Sequence, residues 1–200
     1  MSLGDRLTGH GVVLEPLEAA HLPALADGMD DVSWRYQPQA TGPFPSTPAE
    51  QRAWIDRWYA LVAAGIDAGE RVFAVRRVAD GALVGSTRYL NVALAHRRVE
   101  IGGTFYRADA RRTSVNTACK RLLLARAFDE LGCARVELKC DARNAASRAA
   151  IARLGAVEEG TLRRHLLLGD GFLRDTVYFS ILDREWPAVA AALDARLAPR

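Results

Sequence analysis

Two hundred residues, half of them apolar, suffice for one domain with a sizeable buried core, here taken as residues 1–200. Twenty-seven lysines and arginines against 24 acids leave a formal charge of +3, and the interleaving of the two signs speaks against a nucleic-acid-binding stripe. No apolar run reaches the roughly 18 residues of a membrane span and no charged segment leads into an apolar one at the N-terminus, so a cytoplasmic chain with no membrane partner is expected.

Gly11–Leu17 reads as a short strand stopped by Pro16, and Glu18–Met29 places Leu22, Leu25, Ala26 and Met29 at helical spacing. Asp30–Pro48 is rich in proline and glycine yet holds Trp34, Tyr36 and Phe44. A loop of that length inside a compact domain is usually functional, and Trp34-Arg35-Tyr36 either lines a ligand groove or seals an edge of the core. Thr47-Pro48-Ala49-Glu50 is a capping-box start with proline at the first helical position. The helix it opens carries Trp54, Ile55, Trp58, Leu61 and Val62 and should end near Gly65. Val72–Val78 and Ala82–Leu90 flank Ala79-Asp80-Gly81 and predict a β-hairpin. Arg98–Tyr106 is the next strand, with Val99 and Ile101 on one face and Glu100 and Gly102 on the other. Gly102-Gly103 inside it suggests a bulge or a close approach by a ligand.

Arg111–Thr117, the run RRTSVNT, lies between that strand and an apolar-periodic run over Thr117–Leu131. A small-polar segment leaving a strand and opening a helix presents unpaired N–H groups where the helix dipole is positive, which suits a phosphate or pyrophosphate. In the helix that follows, Cys119, Leu123, Ala127 and Leu131 form the apolar face, and Lys120, Arg121, Asp129 and Glu130 the polar one. Arg135–Asp141 alternates, with Val136, Leu138 and Cys140 on one side and Glu137 and Lys139 on a solvent-facing or helix-covered side. Asn144 opens a second helix through Leu154 to Gly155. This strand–helix–strand–helix order implies a parallel strand pair. Gly160–Leu168 and Phe172–Leu182 flank Gly169-Asp170-Gly171 as a last hairpin, and Trp186–Leu197 reads as a closing amphipathic helix. Cys119, Cys133 and Cys140 fit buried thiols in a reducing compartment, and the four histidines share no metal-ligand spacing with them.

Taken in order and spacing, Trp34-Arg35-Tyr36, Val99-Glu100-Ile101-Gly102, the RRTSVNT loop, Arg135–Lys139 running into Asn144 and Ser147, Leu154-Gly155, Glu159–Arg163, Arg174-Asp175 and Glu185-Trp186 resemble the GNAT acyltransferase superfamily. Within it they are similar to the ribosomal-protein-alanine N-acetyltransferase-like (RimJ/RimL-type) branch. The resemblance implies an α/β (α+β) fold with a mixed, mostly antiparallel central sheet splayed in the middle and helices on both faces. Acetyl-CoA is the implied donor, its pantetheine arm lying in the split between the Val99–Tyr106 and Arg135–Asp141 strands, with no metal required. The family's pyrophosphate loop has the form Gln/Arg-x-x-Gly-x-Gly/Ala. Here Arg111 fills the first place, while Ser114 and Asn116 stand where small residues are usual. Expected donor-binding residues are therefore Phe105, Tyr106, Arg111, Arg112, Thr113, Ser114, Val115, Asn116 and Thr117, with main-chain amides from Arg112 to Thr117 making the principal contacts. Asn144 is expected on the pantetheine arm or, alternatively, as a plain N-cap.

The implied reaction is acyl transfer, acetyl expected, to a primary amine of a peptide N-terminus or small molecule by direct attack. An α-amino group of pKa about 7.7–8.0 is roughly a third neutral near pH 7.5, whereas a lysine near 10.4 is only about 0.1% neutral. The demand on a catalytic base thus depends on the acceptor. Glu100 is the candidate base, its alternative role being a strand salt-bridge partner. Ser147 is the candidate that contacts the leaving sulfur, and the later helix lacks the tyrosine that many relatives use as acid. Trp34, Arg35, Tyr36, His165 and Asp175 are the candidate acceptor-binding residues. A non-catalytic acyl-CoA-binding or sensing module is the second reading, and family members often pair as homodimers.

Overall fold

Strand alternation organises most of the chain: in a computed structural model, which describes residues 3–34, 36 and 47–199, eight strands form one mixed sheet. They are β1 (Leu7–Gly9), β2 (Val12–Pro16), β3 (Arg71–Arg77), β4 (Leu83–Ala93), β5 (Arg98–Tyr106), β6 (Arg135–Asp141), β7 (Val157–Leu167) and β8 (Leu173–Leu182). The spatial order is β1-β2-β3-β4-β5-β6-β8-β7. Every neighbouring pair is antiparallel except β5 and β6.

That parallel pair is short. Arg98, Val99 and Glu100 sit opposite Arg135, Val136 and Glu137, and from Ile101 onward β5 has no strand partner on its β6 side. The implied splay between these strands is present. On its other side β5 changes register against β4 between Ser86/Phe105 and Arg88/Gly102, with Gly103 at φ +54. This is the bulge that the glycine pair suggests. A Cβ at Gly103 would stand 2.4 Å from Arg88 Nε, so the glycine answers both a left-handed backbone and a close neighbour.

Among the described residues six α-helices complete the fold: α1 (Leu22–Asp27), α2 (Asp31–Trp34), α3 (Pro48–Asp67), α4 (Val115–Ala125), α5 (Ala145–Ala152) and α6 (Trp186–Leu197). On one face of the sheet Leu22 and Leu25 of α1 and Trp54, Trp58 and Val62 of α3 pack over Val72, Ala74 and Phe105. On the other, Cys119, Leu123 and Leu124 of α4 and Trp186, Val189 and Leu193 of α6 bury Tyr89, Ile101, Val136, Leu138 and Ile181. Each large apolar side chain buried in this way contributes about 1.5–3 kcal/mol.

The capping box predicted at Thr47 is present, with Thr47 Oγ1 accepting from Glu50 N–H and the Glu50 carboxylate accepting from Thr47 N–H at 3.1 Å. Several boundaries differ from expectation. The first helix is divided into a 3-10 turn at Ala19–His21 and α1, which starts only where Pro23, lacking an N–H, occupies the first turn. Helix α3 continues past Gly65 to Asp67, and its Leu61 is exposed. The run expected as one helix to Leu131 passes at Arg126–Glu130 into a π turn. Lys120, read as part of a polar face, is 5% exposed, and Arg126 is also buried. No described helix is long and apolar enough to cross a membrane.

Candidate donor and acceptor site

The split opens at its upper end onto the N-terminus of α4. Ala118 N–H to Ser114 O, at 2.9 Å, is the first intrahelical bond. The Ser114, Asn116 and Thr117 N–H groups therefore lie ahead of the ladder and face outward, as a helix start requires. Val115 N–H is taken instead by Thr113 Oγ1 at 3.3 Å, and that hydroxyl donates to Ala110 O at 2.7 Å, which fixes the turn. Ser114 itself has φ −69, so serine costs nothing where the family pattern has glycine. The left-handed residue of the loop is Arg112, at φ +61.

Arg111 is not free to meet a phosphate. Its guanidinium donates to Tyr106 O at 2.9 Å, to Ser33 Oγ at 3.4 Å and to the Asp30 carboxylate. Burial opposes ionisation of Asp30, but hydrogen bonds from Arg111 and Ser33 outweigh it and hold the carboxyl below its ordinary range. Arg111 thereby ties α2 to the end of β5, while Arg112, Thr113 and Ser114 are exposed. Phe105 and Tyr106, expected at the donor, have their rings in the two cores, Phe105 edge-on to Trp58 at 5.6 Å. Only their main chain faces the split.

Glu100 points into the face that carries α1 and α3 and is fully buried. Its Oε2 accepts from Asn91 Nδ2 at 2.7 Å and pairs with Lys139 Nζ at 3.0 Å, whereas Oε1 has no partner. Oε1 lies 3.1 Å from where a Cβ on Gly102 would stand, beside the start of the split. Lys139 is thus no solvent-facing ornament of β6. It spans from β6 to β5 and lies 5.8 Å from the centre of the Tyr178 ring, which His165 meets edge-on at 5.7 Å. Asn91, at φ +46, completes this row. Sequence reading missed Asn91 and Tyr178 and discounted Lys139. The one available signal was the asparagine beside a strand end, a residue type tolerant of left-handed backbone.

Across the split, Asn144 caps α5 through Oδ1, which accepts Ser147 N–H at 3.0 Å. Burial raises the proton affinity of the Cys140 thiol, and the nearby Ser147 side chain offsets only part of that rise. At the end of β6, Asp141 accepts a two-pronged contact from Arg143 at 3.0 and 2.7 Å. Burial again opposes ionisation of Asp141, and Arg143 more than offsets it, so the carboxyl stays below its usual value. The Arg143 guanidinium stacks 3.7 Å above Phe172 and lies 6.0 Å from Tyr36.

The acceptor candidates are only partly brought together. Tyr36 and His165 belong to the face of Glu100 and Lys139 through their contacts with Arg143 and Tyr178. Asp175 alternates with Arg174 and Thr176 along β8, so it points to the opposite face, where Oδ1 accepts Arg164 N–H at 2.6 Å. That bond holds Arg164, at φ +49, in a bulge of β7. Arg35 and the side chain of Trp34 lie outside the described residues.

Comparison with known proteins agrees with this geometry. Residues 12–157 match the acetyltransferase (GNAT) domain family. A solved GCN5-related N-acetyltransferase from Brucella melitensis is similar over 98% of this chain and 86% of its own, at 31% identity and TM-score 0.85. Mycobacterium smegmatis RimJ, solved in complex with CoA-disulfide, shares the fold at TM-score 0.77 and 23% identity, over 96% of this chain and 95% of its own. YdaF of Bacillus subtilis (strain 168), provisionally named a ribosomal N-acetyltransferase, is 36% identical over 107 residues, which span 54% of this chain and 57% of that relative. A sheet parted between β5 and β6, a helix N-terminus at the mouth of the gap and a family match across most of the chain lead to one assignment: the chain belongs to the GNAT acetyltransferase family.

Proposed function

We propose that the protein transfers an acetyl group from acetyl-CoA to a primary amine, with a peptide α-amine as the preferred acceptor class. The observation that carries this reading is the unpaired β5 edge running from the buried Glu100 carboxylate to the free N–H groups of α4. An extended pantetheine arm can hydrogen-bond such an edge as an added strand, and a helix start suits the pyrophosphate. The complex of RimJ with CoA-disulfide and the ribosomal name of YdaF support the same donor and a protein acceptor.

The donor supplies an activated thioester. In the proposed roles, Glu100 Oε1 accepts the proton that the attacking amine loses, while Asn91 and Lys139 fix the carboxylate through its other oxygen. Ser147, on the first turn of α5, donates a hydrogen bond to the leaving sulfur and relays to it a proton that its hydroxyl regains from solvent. The main-chain amides of Ser114, Asn116 and Thr117, rather than the Arg111 side chain, hold the pyrophosphate.

Isothermal titration with acetyl-CoA followed by thiol release over a panel of amines and N-terminal peptides tests the reading. Binding with turnover on an α-amine is expected. Tight binding with no turnover on any acceptor would instead make the protein an acyl-CoA sensor.

A further inference from the structure

Arg174 stands on β8 with 5% of its surface exposed, and among the described residues its Nε has no hydrogen-bond partner. Among the described residues no carboxylate comes within ion-pair distance of it. The two acids whose charge it feels are already engaged, Asp141 by Arg143 and Glu100 by Lys139 and Asn91. Both carboxylates near Arg174 are thus in contact with other cations, which leaves Arg174 as a buried charge with no carboxylate in contact. A buried charge without a counter-ion is costly, and a fold that keeps one needs an anion to meet it. Two residues along the same face of β8, Thr176 is fully buried with Oγ1 also unpartnered. Alternation puts both on the face that bears Glu100, Lys139 and Tyr178.

We infer that Arg174 and Thr176 form a carboxylate-binding subsite beside the reaction centre. One buried cation without a contacting carboxylate matches a monoanion, the planar guanidinium fork matches a carboxylate, and the hydroxyl adds a neutral donor. The inference rests on the acyltransferase reading, because the carboxylate belongs to one of the two reactants. It is either a carboxylate of the amine acceptor or the free end of a dicarboxylic acyl chain.

Two pairs of probes separate these sources by isothermal titration. Succinyl-CoA and butyryl-CoA differ by a carboxylate in place of a methyl group. Alanyl-alanine and its C-terminal amide, added to protein saturated with CoA, make the same comparison on the acceptor side. Charged hydrogen bonds of this kind predict about a 10-fold or greater preference for the carboxylate member of one pair. Arg174→Met should abolish that preference without lowering Tm, because it removes a buried charge with no carboxylate in contact. A preference in the first pair assigns the acyl chain, and one in the second assigns the acceptor. Equal binding within both pairs, or a preference that survives Arg174→Met, overturns the subsite alone. If neither thioester binds, the acyltransferase reading falls and the subsite with it. Should Arg174→Met fail to fold, Thr176→Val takes its place: a preference reduced several-fold supports the subsite, and an unchanged one overturns it.

Discussion

Glu100 holds one oxygen in a clasp and leaves the other bare, an arrangement suited to taking a proton without moving. Glu100→Gln keeps the shape and removes the basicity, so kcat should fall about 10²–10⁴-fold while the Kd for acetyl-CoA stays unchanged. An unaltered kcat at pH 7 in steady-state assays would remove the base assignment. Lys120 makes a different point. Its ammonium donates to Thr104 Oγ1 at 2.8 Å and Thr87 Oγ1 at 3.3 Å, with no carboxylate paired to it among the described residues, and burial pushes its pKa down to about 8. Below pH 8 both folded and unfolded chains carry this proton, and the buried charge opposes folding throughout. Between about 8 and the unfolded value near 10.4 the unfolded chain binds more protons, so this group's contribution to stability improves as pH rises. Lys120→Met should therefore raise stability at pH 7 by about 1 kcal/mol or more and flatten the rise between pH 8 and 10, read from urea unfolding at several pH values.

Among the elements, α4 carries the donor reading. Ser114 is its N-cap but makes no side-chain capping bond. Ser114→Asp should leave the helix as stable or more so, since aspartate is a good cap beside a positive dipole end. It should nevertheless weaken acetyl-CoA about 10-fold by setting a negative charge against the pyrophosphate, as calorimetry would show. Unchanged affinity would mean that the pyrophosphate lies elsewhere. Much of the fold was legible in the sequence. Strands at 98–106 and 135–141, the Thr47 cap and the closing helix at 186–197 follow from local period and capping chemistry. The π turn at Arg126–Glu130, the burial of Lys120 and the engagement of Arg111 by Asp30 do not. The last two depend on a partner distant in the chain, as does Lys139: the pairs Lys120–Thr87, Arg111–Asp30 and Lys139–Glu100 join residues that no periodicity connects. Lys139 reads only as part of a solvent-facing or helix-covered side because alternation reports the face of a strand, not what the neighbouring strand places there.

At the scale of the whole molecule, α6 closes the face that α4 opens. Trp186 stacks on Phe128 at 5.3 Å, donates Nε1–H to Asp129 at 2.6 Å and lies under the Arg121 guanidinium at 5.2 Å. Trp186→Ala should cost about 3–5 kcal/mol, measured by denaturant unfolding, and loosen α4 together with α6. A loss under 1 kcal/mol would show that α6 is an appendage rather than part of the core. The three-residue contact between β5 and β6 has a further consequence for the molecule's internal motions. Strands β2–β5 and β6–β8 are each tied by longer antiparallel ladders, so the interior of the sheet has a weak seam at β5–β6, and the two parts are natural units of sub-global opening. In the free protein, amide exchange should report two protection levels that divide at this seam. Acyl-CoA laid along β5 would supply the missing rungs, and the two levels should then merge into one, making the donor substrate the last strand of the fold.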